Sequence, residues 1–145
     1  MSRVWAETEA EGGAVGGETI GALATAFNLT PRTIRYYEDQ GLLMPARAGA
    51  QRVYGPGDRA RLALICRGKR LGFSIAEIKD FLDLYQAGDG QVEQMRYLVG
   101  RGRARIAALE QQLQDVQDTL ADLNGMVETA AEHLRRHGIE EGAAP

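Results

Sequence analysis

The side chains with most to offer a partner are Arg32, Thr33, Arg35 and Tyr36, set within Thr30-Pro-Arg-Thr-Ile-Arg-Tyr-Tyr-Glu-Asp-Gln-Gly41. Their chemistry is that of binding: guanidinium groups carry fixed forks of donors, a hydroxyl donates or accepts, and a phenol adds a flat ring with a polar tip. The same stretch can hold them in one direction. Thr30 can accept a bond from an unpaired backbone N–H, Pro31 suits the first helical position, and Gly41 can take the left-handed conformation just past the end. The spacing therefore predicts one short helix with both ends marked. Ile34 and Tyr37 fall on one face of it, with Leu42 just beyond, and Arg32, Thr33, Arg35 and Tyr36 fall on the other. A cationic, aromatic face is left for solvent or for a partner.

The preceding residues 19–28 read as a second short helix with Ile20, Leu23, Ala24 and Phe27 as its apolar stripe, and Asn28-Leu29 as the turn. Two short helices joined tightly, the second capped by Thr-Pro, form a helix-turn-helix whose second helix suits the DNA major groove. An ordinary αα-hairpin with solvated arginines fits this segment equally well. Beyond it, Leu42-Leu43-Met44-Pro45 predicts an extended exit. Residues 46–54 then carry Gly49 at a turn and the β-formers Val53 and Tyr54, which makes a short hairpin, or wing, bearing Arg47, Gln51 and Arg52.

Arg59 to Leu71 reads as the next helix, with Leu62, Ile65, Cys66 and Leu71 at helical spacing, Gly55-Pro56-Gly57-Asp58 as the break before it and Gly72 as its stop. Ser74 and Glu77 form a capping box for a further helix whose stripe is Ile75, Ile78, Leu82 and Tyr85, broadened by Phe81. Gly88 and Gly90 close this head at residues 18–88. From Val92 to Leu134 apolar residues alternate at spacings of three and four, among them Val99, Ile106, Leu109, Leu113, Val116, Leu120, Leu123 and Val127. So narrow a stripe, flanked by charged and amide side chains, is a coiled-coil seam running ~65 Å from Val92 to Leu134, within a helix predicted over residues 91–136. It needs a partner helix, either a second chain or its own return after a turn at Asn124-Gly125.

The net charge of −3 hides a local excess: residues 31–70 hold nine Lys or Arg against three acids, a balance of +6, and DNA responds to the surface facing it. The lone cysteine, Cys66, excludes an intrachain disulfide framework or a thiolate metal cage and reads as a small buried apolar residue, with a redox sensor as the alternative. His133 and His137 read as solvated cations near a helix end rather than metal ligands. Ser/His/Asp sets, metal clusters and glycine-rich phosphate loops are absent from the sequence, so an enzyme is not expected, and neither is a cofactor. Residues 1–17 read as a disordered leader, with Trp5 either mobile or docked on the head, and 137–145 as a flexible tail. Without an apolar run of about 18 residues or a signal pattern, the expectation is a cytoplasmic protein with no membrane contact.

In order along the chain, Thr-Ile-Arg-Tyr-Tyr-Glu, Gly-Leu-Leu-x-Pro, Arg-x-Tyr, Arg-Leu and Leu-Gly-Phe-Ser-x-x-Glu-Ile resemble the MerR family of bacterial transcription regulators, across residues 18–85. The resemblance implies a mainly α fold: a winged helix-turn-helix head followed by a long helix that forms an antiparallel coiled coil in a homodimer. It implies that Arg32 and Arg35 face base edges and nearby phosphates with Thr33 beside them, that Tyr36 lies on the sugar-phosphate surface, and that Arg47, Gln51, Arg52 and Tyr54 are wing contacts. Relatives often carry Gly-Tyr-Arg where this chain has Ala50-Gln51-Arg52, which leaves the contact of Gln51 open. Implied partners are double-stranded DNA at a pseudo-palindromic promoter, a second copy and RNA polymerase, on the nucleoid of a bacterial cell. Through Gln-Arg-Val-Tyr and Arg-Gly-Lys-Arg-Leu-Gly-Phe-Ser the chain is similar to short-tailed members, among them regulators of branched-chain amino acid and acyl-CoA catabolism. A small organic effector, held near Tyr85, Arg96, Tyr97 and Arg101, is the expected signal. A coiled-coil adaptor for an acidic protein, or an architectural or excisionase-like DNA protein, is the rival reading.

Overall fold

The structure, a computed structural model, describes residues 17–85 and 90–142. The expectations for nearly all of the leader, for Trp5, for Gly88 and for the last three residues of the tail lie outside the described residues. The chain divides into two units, Met1–Gly100 and Arg101–Pro145.

The first unit contains α1 (Ile20–Phe27), α2 (Pro31–Asp39), β1 (Ala46–Ala48), β2 (Gln51–Val53), α3 (Pro56–Leu71), α4 (Ile75–Leu84) and the start of α5 (Gly90–Arg136). Local hydrogen bonds explain where these elements begin and end. The Thr19 hydroxyl accepts the Ala22 N–H at 3.1 Å, and the Thr30 hydroxyl accepts that of Thr33 at 3.2 Å. Asn28, at φ 54°, stops α1, and Gly41, at φ 77°, follows α2. Both are left-handed positions, which asparagine and glycine tolerate best. The hairpin turns at Gly49, φ 65°, and pairs Ala46 with Val53, Arg47 with Arg52 and Ala48 with Gln51.

α3 starts three residues earlier than the sequence suggests. Pro56 is not a break but the first helical residue, where a missing N–H costs nothing, and the Asp58 carboxylate accepts the Gly55 N–H at 3.0 Å. The predicted capping box of α4 is present: the Ser74 hydroxyl accepts from Glu77 N–H and the Glu77 carboxylate from Ser74 N–H, each at 3.1 Å.

Leu23, Ala24, Ile34, Tyr37, Leu42, Leu43, Tyr54, Leu62, Ile65, Ile78 and Leu82 form the core of the head. Leu71 and Tyr85, expected in the apolar stripes, are 51% and 68% exposed; Leu71 is the last residue of α3 and Tyr85 the C-cap of α4, where the stripe runs out. α3 and α4 approach closely at Gly68, where a Cβ would lie 2.9 Å from the Ile78 side chain. The start of α5 is tied to α4 by Gln94, whose amide donates to the Phe81 carbonyl at 2.9 Å.

The second unit carries the rest of α5, a helix of 47 residues that continues through Asn124-Gly125. The chain therefore does not turn back there. Val99, Ile106, Leu109, Leu113, Val116, Leu120, Leu123 and Val127 are 43–61% exposed along it. The helix stops beyond Arg136, where Gly138 takes φ 68° and the Ile139 N–H reaches the Leu134 carbonyl at 2.9 Å. No helix among the described residues is long and apolar enough to cross a membrane.

Candidate nucleic-acid interface

The face of α2 follows from its capping and its period. Ile34 and Tyr37 are buried in the core, which commits the opposite side to solvent. Arg32 and Arg35 are exposed there, and Tyr36 is 48% exposed. Thr33 is only half-exposed, and its hydroxyl lies 3.0 Å from that of Thr30, so part of its hydrogen-bonding capacity belongs to the helix cap. On the wing, Arg47 and Gln51 are exposed. Together these side chains present three guanidinium groups, an amide and a phenol, all suited to phosphate oxygens and base edges.

Two of the expected wing contacts are placed otherwise. Tyr54 is 0% exposed, so it does not present a DNA contact. Its backbone exchanges two hydrogen bonds with Glu18, at 2.8 and 2.9 Å, and its hydroxyl donates to Glu38 Oε1. Burial, then the hydrogen bond it gives to Glu38 and the charge on that carboxylate, push its phenol far above the ordinary tyrosine range. Arg52 is half-buried, and its Nε donates to Glu38 Oε2 at 2.8 Å. In the sequence Glu38 figures as an acid set against the local charge and as the last letter of a motif, with no structural role assigned. Its place at the end of Arg-Tyr-Tyr-Glu, next to the buried Tyr37, was the available signal.

Two further cations of the 31–70 segment also serve the head. Arg59 Nη1 pairs with Glu18 Oε1 at 2.7 Å, and its guanidinium lies 5.4 Å above the centre of the Phe27 ring. Arg61 Nε donates to the Leu42 carbonyl at 2.9 Å. The local positive balance thus overstates the charge offered to a polyanion.

The residues expected near an effector are less cohesive. Tyr85 is exposed, which is at odds with walling a cavity, and Arg96 pairs with Glu93 at 3.0 Å along its own helix. Tyr97 is half-buried in the first unit, and Arg101 falls in the second. Cys66 is partly buried, and burial pushes its thiol up, opposed in part by Arg70.

Residues 19–84 match the family described as MerR HTH family regulatory protein, and residues 59–126 the one described as MerR, DNA binding. The chain belongs to the MerR family. A MerR relative, the HTH-type transcriptional regulator ZntR homolog of Haemophilus influenzae, is 36% identical over 106 residues, spanning 72% of this chain and 78% of its own. The transcription regulator PbrR691 of Ralstonia metallidurans, solved in complex with lead(II), is 27% identical with a TM-score of 0.56, over 74% of this chain and 85% of that one. HiNmlR, a MerR family regulator lacking the sensor domain and bound to promoter DNA, has a TM-score of 0.59 over 81% of this chain and 94% of its own. At 22% identity that likeness is one of fold. As a member of the MerR family the chain is a DNA-binding transcriptional regulator, not an enzyme.

Proposed function

We propose that this regulator acts as a homodimer on a two-fold symmetric promoter site, with α2 in the major groove and the β1–β2 wing on the flanking backbone. The observation that carries this reading is the split of α2 into a buried Ile34–Tyr37 face and an exposed Arg32–Arg35–Tyr36 face, with Arg47 and Gln51 exposed on the wing. The unpartnered seam of α5 supports the dimer. RNA polymerase is the proposed partner at the promoter, in the cytoplasm.

The signal is a small organic molecule rather than a soft metal ion. A lead or zinc site of high affinity is built from several thiolates or imidazoles, whereas this chain has a single cysteine, and burial raises its thiol further from the thiolate form a metal needs. The region around Tyr85, Arg96, Tyr97 and Arg101 is where such a ligand would be sought. Nuclease footprinting of the upstream DNA of its own gene tests the main reading: two protected half-sites resistant to excess random duplex are expected, and uniform protection would overturn it. Adding stoichiometric Zn²⁺ or Pb²⁺ should leave the footprint and promoter output unchanged; a metal-dependent rise in transcription would transfer the signal to the metal.

A further inference from the structure

Glu38 sits on the recognition helix, yet its side chain is only 12% exposed. Both of its oxygens are taken, Oε2 by Arg52 and Oε1 by the Tyr54 hydroxyl. Those two partners are two apart along the strand exit, which puts them on the same side of the wing. Tyr54 is in turn bridged through its backbone to Glu18, whose carboxylate holds Arg59 of α3. The hairpin is thus fastened from one side by the recognition helix and from the other by Glu18 and α3.

We propose that Glu38 is a positioning residue that sets the angle of the wing against α2, and that Arg52 serves DNA binding through this clamp rather than by meeting a phosphate. The inference rests on reading the wing as a DNA-contacting element. Two strands of three residues each cannot hold a fixed direction alone, so the wing needs an outside tether. A wing already ordered in the free protein avoids the cost of ordering it on DNA. A guanidinium already neutralised by a carboxylate at 2.8 Å releases no counterion when DNA arrives. Moving it to a phosphate would strand the Glu38 charge, poorly solvated, in front of a polyanion.

The experiment is equilibrium binding of the full chain to the footprinted site and to random duplex of equal length, across a salt series. The variants are E38Q, E38Q/R52Q, Y54F and R47Q, each checked by thermal unfolding. The amide oxygen of E38Q can still accept the Tyr54 hydroxyl, so this variant keeps the tie to the buried phenol. E38Q frees Arg52 and should steepen the slope of log K against log salt by up to about 0.9 per protomer. E38Q/R52Q and Y54F should keep the wild-type slope while losing preference for the footprinted site. If E38Q/R52Q instead flattens the slope by about 0.9 per protomer, Arg52 is a phosphate contact and the proposal is overturned. Unchanged preference in both E38Q/R52Q and Y54F would also overturn it. R47Q should flatten the slope by a similar amount; no change there would remove the wing from DNA and sink the underlying reading instead.

Discussion

Arg35 and Arg47 are both exposed arginines; in the proposed docking the first projects from the helix that meets base edges and the second from the hairpin that meets the backbone. Arg35→Ala should lose about 1–3 kcal/mol at one base pair of the site and relax the preference there, whereas Arg47→Ala should weaken all sequences alike. Competition binding against single-base variants of the site measures this, and equal losses on specific and random DNA for both variants would reverse the assignment. The face of α2 was legible in the sequence because Ile34 and Tyr37, three residues apart, declare the buried side without outside help. The wing was harder. Tyr54 and Arg52 each answer to Glu38, 16 and 14 residues away, and no periodicity carries a side-chain pairing across a turn and a hairpin.

Helix ends read well for the same reason that wing contacts read poorly. The caps of Thr19, Thr30 and Ser74 are bonds between residues three apart, so their pattern is complete within four letters. The start of α3 escaped because Pro-Gly resembles a break, while Pro56 at the first helical position and Asp58 folded back onto Gly55 make it a beginning. Gly68 is a further case in which sequence is mute: a glycine inside a helix normally costs stability, but here it lets α3 approach Ile78. Gly68→Ala should therefore destabilise the head by about 1–3 kcal/mol through overpacking, despite the better helix propensity of alanine. Urea unfolding measures it. A gain in stability would mean that the Ile78 side chain moves aside freely, and Gly68→Ala with Ile78→Val should recover part of any loss.

A helix of 47 residues with an apolar stripe about half exposed has no reason to stay unpaired in water. Replacing both Leu113 and Leu120 by Asp places carboxylates in the seam and should give a monomer by sedimentation at micromolar concentration, with loss of the two-half-site footprint. A wild-type monomer under the same conditions would end the dimer reading. Within one head, time separates contacts that distance does not. The helices and the hairpin close on near neighbours, but the ion pair of Glu18 with Arg59 joins residues 41 apart, and loops of that length close late. Interactions absent from the folding transition state act on the rate of escape from the native state. Glu18 is then a brake on unfolding: E18Q should unfold faster in stopped-flow denaturant jumps while refolding at nearly the wild-type rate, and slowed refolding would place this tie inside the nucleus.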